Sequence, residues 1–171
     1  MKYLKYLLYL IVLLVIVFFG NGMITSSIYY ENEVEVNKPV TEAWTVMQDE
    51  SRISEWLPVI QRIEPVSGEP NTVGAVSNIY VNENGEEMMM QETITAITPN
   101  KHMAMTFTMD FMNMDYEMDL VEKDGKTYIT TRSTTVGNGM MAKSILSFMS
   151  GMMSDQEDEN LNRLKNVIEN N

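Results

Sequence analysis

The stretch VEVNKPVTEAWTVMQDESRISEWLP, Val34 to Pro58, changes its hydrophobic period within a short run. Its first residues close an alternating segment in which Tyr30, Val34 and Val36 share one face and Glu31, Glu33 and Glu35 the other. Period two with acids on one side predicts a half-buried strand. Pro39 suits a first helical position because its missing N–H has no partner there anyway. Val40, Ala43, Trp44 and Met47 then follow helical spacing, which predicts a short amphipathic helix. Ser51 reads as the cap of a second short helix, and Pro58 as its stop.

Downstream the pattern returns to period two, with turn punctuation between runs. VIQRIEPV, GAVSNIYV, MMMQETITAI, HMAMTFTM, MNMDYEMDLVE and TYITTRSTTV read as six antiparallel strands. Asn84-Gly85 and Asp124-Gly125 carry hairpin chemistry, since both central residues of the tight turn need positive φ. The last segment, from Gly137, places Met141, Ile145, Met149, Met152, Leu161, Leu164 and Ile168 near one helical stripe. It predicts a long amphipathic helix, bent near Gly151, whose polar middle SDQEDEN faces water or extends past the sheet.

This order of elements, with its opening motif, resembles the helix-grip fold of the START-like, or SRPBCC, superfamily. The resemblance rests on Asn37, Pro39, Trp44, Trp56 and Pro58, and on VGAV, ITAITPNKHMAMTF and DGKTYITTRST in the later strands. It covers roughly residues 28–170 and is strongest to the polyketide cyclase/dehydrase-like branch. It implies an α+β fold: a curved seven-stranded antiparallel sheet around a long C-terminal helix, with two short helices after the first strand. It also implies a hydrophobic cavity between sheet and helix. Members of the superfamily bind lipids, sterols or polyketides there; some are enzymes, others carry or sense ligands or assist chaperones. No catalytic residue is shared across the superfamily, so the resemblance assigns none here.

The chain opens with MKYLKYLLYLIVLLVIVFFG, apolar without interruption from Tyr6 to Phe19. Tyr3 to Phe19 makes about 25 Å of helix at ~1.5 Å per residue, near the thickness of a thin bilayer core. Residues 1–22 therefore read as a single transmembrane anchor, with a cleaved signal peptide as the alternative. Residues 23–27 read as a tether within GNGMITSS, and 28–171 as the domain. Lys2 and Lys5 precede the apolar run and no basic residue follows it until Lys38. The positive-inside rule then predicts a cytoplasmic N-terminus and an extracytoplasmic domain.

The net charge is −12, and all 24 acids lie beyond residue 20. Such a surface repels phosphate backbones, so no nucleic-acid partner is expected. Cysteine is absent, which removes thiolate nucleophiles and Cys-based metal sites. His102 is the only histidine and sits at a turn facing outward. No metal-spacing motif, phosphate loop or Ser-His-Asp set is visible, and no cofactor is expected.

The chain holds 17 methionines, six of them between Lys101 and Asp119. They obey strand parity. Met103, Met105, Phe107 and Met109 share a face, as do Met112, Met114, Tyr116, Met118 and Leu120, and also Met88, Met90 and Ile94. Three readings compete: a filled core, a ligand cavity lined by adaptable side chains, and a Cu(I) site. Copper-scavenging methionines have no reason to alternate with acids, which weakens the last. For a cavity, the candidate lining is Trp56, Met88, Met90, Glu92, Met105, Phe107, Met114, Tyr116, Met118, Thr131, Met141, Ile145 and Met149. Glu92 has the parity of Met90 and Ile94, unless a β-bulge between Ile94 and Ile97 resets it; an exposed Glu is the commoner arrangement. Thr131 and Ser133 share the parity of Ile129, Arg132 points outward to neighbouring acids, and Tyr80 and Tyr116 offer hydroxyls. These readings favour a membrane-anchored domain binding a small apolar or lipid-like ligand. A cyclase/dehydrase-like enzyme using Glu92 or Tyr116, and a protein-interaction domain with a filled core, are the alternatives.

Overall fold

The computed structural model describes residues 2–25, 27–83 and 85–171. Helix α1 (Lys2–Ile24) leads into strand β1 (Ile28–Val36), helix α2 (Val40–Met47), a 3₁₀ turn (Glu50–Arg52) and helix α3 (Ile53–Trp56). Strands β2 (Ile60–Ser67), β3 (Val76–Glu83), β4 (Glu86–Thr98), β5 (His102–Thr108), β6 (Met112–Lys123) and β7 (Lys126–Gly137) follow, and helix α4 (Met140–Glu169) ends the chain. The seven strands form one antiparallel sheet in the order β1-β7-β6-β5-β4-β3-β2. The sequence thus predicts the sheet, both small helices and the long C-terminal helix of the helix-grip fold.

Local chemistry explains the junctions. Asp124 and Gly125 both have positive φ, as a two-residue hairpin turn between β6 and β7 requires. Asn84, the other expected turn residue, lies outside the described residues. Pro65 is tolerated in β2 because that strand is a sheet edge, where a missing N–H costs no ladder bond. Ser51 does not cap the second small helix: it lies inside the 3₁₀ turn, which Asp49 caps by accepting from the Ser51 N–H at 3.1 Å, and α3 starts from Arg52 with no side-chain cap bond. The Asp49 carboxylate satisfies a free N–H of the first turn, as an N-cap side chain does, and also accepts from the Ser51 hydroxyl.

The main core joins β1, β6 and β7 to α2 and the C-terminal half of α4. Val36, Ile129, Leu164 and Ile168 have no exposed surface, and Val34, Ala43, Val46, Met118, Leu120 and Leu161 complete the cluster. Each buried Val, Leu, Ile or Met of this cluster contributes about 1.5–3 kcal/mol through burial. Trp44 and Trp56 pack against its rim.

Helix α1 continues through Met23 and Ile24, into the stretch read as a tether. Gly22 does not break the helix; it lets α1 approach α4 so closely that an added methyl group would stand 2.7 Å from the Ser144 amide nitrogen. The N-terminal half of α4 is also turned from its expected face. Ala142, Ser144 and Leu146 are buried, whereas Met141 is 62% and Ile145 36% exposed. Close approach to Gly22 and Gly137 takes small side chains, so Ala142 and Ser144 fill the contact and their larger neighbours face out. The helix runs uninterrupted through Gly151.

Candidate functional site

The inner face of the sheet carries two zones. The first is a polar seam beneath α4. Asn32, at an inward position of β1, donates to the Ser154 carbonyl at 3.2 Å and to the Asp158 carboxylate at 2.7 Å. The Tyr116 hydroxyl donates to Glu157 at 2.7 Å. The expected water-facing middle of α4 therefore supplies the sheet with acceptors. Thr131, Ser133 and Thr135 of β7 point into the same seam, each 1% exposed, and their hydroxyls have no hydrogen-bond partner among the described residues. Burial, and then the neighbouring Glu157 carboxylate, push the Tyr116 phenol well above its ordinary range. That favours the protonated phenol, which is the form that donates to Glu157. Burial also raises the Tyr30 phenol.

The second zone is apolar. Helix α4 packs mainly on β1 and, less, on β7. On β3 to β6, Ile79, Ile94 and Met105 are buried, while Met90, Phe107 and Met114 are half-buried. Ile94 and Met105 form a separate small core with Ala75, against which Ile97, Met103, Phe107 and Tyr116 pack. Phe107 and Tyr116 meet edge to face, 6.4 Å between centroids. The result is an apolar wall open in part to solvent.

Glu92 stands in that wall. It pairs across the sheet with Ser77 and Phe107 and is half-buried. A register shift does occur in β4, between Ile94 and Ala96, but it lies beyond Glu92 and leaves the inward parity intact. Burial, with a further contribution from Glu50, pushes the Glu92 carboxyl up to about 7.

Of the candidate lining residues, Met90, Glu92, Met105, Phe107, Met114 and Tyr116 share the inner faces of β4, β5 and β6. Met118 and Thr131 belong to the packed region under α4, with 2% and 1% exposure. Met88 lies near the outer end of β4 and is exposed. Trp56 packs on the main core and Met149 is half-buried on α4. Met141 and Ile145 face away, as described above. Tyr80 is also corrected: it lies on the outer face, with the Arg62 guanidinium 3.5 Å above its ring. Asn32 and Glu157 were missed. Their signal was present, since Asn32 shares the parity of Tyr30 and Val34, and Glu157 lies one turn before Leu161.

On the outer face, His102 Nδ1 lies 2.7 Å from Asp119, which also accepts from Arg132. Burial pushes the Asp119 carboxyl up, but the bonds from His102 and Arg132 outweigh it and hold it below its ordinary value. Arg132 also pairs with Glu31. No cluster of three or more His, Cys, Asp or Glu suited to a metal ion occurs among the described residues. One open cleft, of about 650 Å³, lies between α3 and the end of α4. Arg52, Glu55 and Arg163 line it, so it suits a polar occupant rather than an apolar one.

Solved structures share this architecture at low identity. The crystal structure of Ara h 8.0201 superposes with a TM-score of 0.67 at 19% identity, over 85% of this chain and 99% of that one. The ZhuI aromatase/cyclase from Streptomyces sp. R1128 gives 0.70 at 16% identity, over 84% and 94%. A protein of unknown function from Staphylococcus aureus gives 0.66 at 14%, over 84% and 96%. No curated protein sequence matches the chain. The sequence profile of one family matches residues 27–169, and the chain belongs to that family: polyketide cyclase / dehydrase and lipid transport.

Proposed function

We propose that this protein binds a small apolar or lipid-like ligand against the inner wall of β3 to β6, while α1 anchors the domain to a membrane. The observation that carries the reading is the half-buried row Met90, Phe107 and Met114 on the inner face of the sheet, beside the polar seam. Flexible thioethers accept variable apolar shapes, and a few polar groups set orientation. The Tyr116 hydroxyl and the unpaired hydroxyls of Thr131, Ser133 and Thr135 are the polar groups at hand. The description of the family, which includes lipid transport, supports the ligand class.

Helix α1 supports the anchor: Tyr3–Ile24 is apolar and long enough to cross a bilayer. The lysines before the apolar run support an orientation with the N-terminus in the cytoplasm and the domain outside. The test is titration of the full-length protein in nanodiscs with an environment-sensitive fatty-acyl probe. Saturable binding that competes with unlabelled lipid, and weakens in Phe107→Ala, is expected. Absence of any saturable component would overturn the reading.

Glu92 favours a second reading, catalysis on a polyketide-like substrate, because a carboxyl titrating near 7 is poised for proton transfer at neutral pH. That reading requires a turnover that follows the ionisation of Glu92 and disappears in Glu92→Gln.

A further inference from the structure

The N-terminal half of α4 carries an apolar stripe that the described residues leave largely exposed. Met141, Ile145, Phe148 and Met152 recur at helical spacing on one face, and Phe148 and Met152 are 61% and 67% exposed. The stripe is continuous with α1. Phe18 stacks on Phe148 with 6.0 Å between ring centroids, the Asn21 amide donates to the Ser147 hydroxyl at 3.0 Å, and Gly22 seats against Ser144.

Length decides what covers it. The part of α1 standing clear of the domain runs from Tyr3 to Val17, and every apolar side chain in it is exposed. That part rises about 22 Å at ~1.5 Å per residue, short of a hydrocarbon core of about 30 Å. The span is completed only if the turn from Phe18 to Gly22 also lies at bilayer depth. That turn is the one packed on α4, so α4 must enter with it. Charge agrees. The chain is strongly acidic, yet no Asp or Glu occurs between Gly125 and Ser154, and acids resume at Asp155. Within α4 the acid-free part, Met140 to Ser154, is the part that would meet lipid, and the acidic turn follows where α4 leaves it.

We infer that the Met141–Met152 stripe of α4 is a membrane-docking surface, sunk into the outer acyl region of the bilayer beside α1. The occupant is lipid, and the domain is held directly against the membrane rather than swinging on a tether. The inference rests on the reading of α1 as a membrane helix.

The absence of cysteine allows a clean test in the full chain. Single cysteines at Ile145, Met152, Leu10 and Asn162 are labelled with a polarity-sensitive fluorophore in phosphatidylcholine vesicles containing lipids brominated at different acyl depths. Quenching at Leu10, Ile145 and Met152, with none at Asn162, is expected. Quenching at Leu10 alone would overturn the docking surface and leave the anchor standing. No quenching at Leu10 would overturn both. Ile145→Cys and Met152→Cys alter exposed positions only, so the fold does not depend on them.

Discussion

Replacing Glu92 by Gln should make the protein's stability less dependent on pH, by an amount that follows from its surroundings. Glu92 sits between Met90 and Ile94 on the inner face of β4, opposite Phe107, with Glu50 near enough to disfavour its charge. The carboxyl titrates near 7 in the folded protein against 4.5 unperturbed. Between those two values the folded state holds a proton that the unfolded state has lost. Stability therefore falls as pH rises through that window and levels off above it. At about 1.4 kcal/mol per pH unit the full cost approaches ~3 kcal/mol, and partial exposure of the side chain reduces it to about 2–3. Gln keeps the shape and never ionises. Wild type and Glu92→Gln should then be equally stable near pH 4, and the variant should lead by about 2–3 kcal/mol at pH 8. At this chain length that is a rise in Tm of roughly 6–10 °C. Urea or thermal unfolding of both proteins across the pH range gives the difference directly, because titrations elsewhere cancel between them. Parallel curves from pH 4 to pH 8 would refute the burial argument, and with it any acid or base role built on Glu92.

Leu164 has no exposed surface and bridges α4 to the main core, so Leu164→Ala should cost about 2–5 kcal/mol in urea unfolding. A loss below 1 kcal/mol would mean that α4 is not packed as described. Thr131→Val removes a buried hydroxyl without a partner at nearly constant volume, and should leave the ligand-free protein as stable or raise its stability by ~1 kcal/mol. A comparable loss, read from denaturant midpoints, would show that the hydroxyl is satisfied in solution.

Strand parity made much of the architecture readable. Acids alternating with valine in β1, and with methionine in β6, leave one register in which the sheet buries its apolar side. The inward placement of Glu92 was readable too, but only as a condition. Sequence cannot say whether a bulge falls before or after a residue, and here it falls after, between Ile94 and Ala96. The N-terminal half of α4 was misassigned for a different reason. Two stripes at helical spacing run there side by side, one of Met141, Ile145 and Met152, the other of Ala142 and Leu146. Hydrophobicity favours the larger residues as core. The deciding contact is with α1, whose Gly22 admits only the small ones, and that pairing has no signature in either segment alone.

The same contact bears on how α4 is held. Its C-terminal half is fixed by Leu161, Leu164 and Ile168, and its N-terminal half by Ala142, Leu146 and α1. Between them, from Ser154 to Asp158, the helix meets the sheet through Asn32, Tyr116 and hydroxyls with no partner. Hydrogen bonds exchanged with water contribute about 1 kcal/mol net each, while each unpaired buried hydroxyl costs ~1–3 kcal/mol. The middle of α4 is thus its least stabilised part, and it borders the open apolar wall at Tyr116, which touches both zones. A ligand on the wall that brought a polar group to Thr131 or Ser133 would relieve the unpaired hydroxyls. Binding would then strengthen the seam between α4 and the sheet, and through α4 the packing on α1 at the membrane.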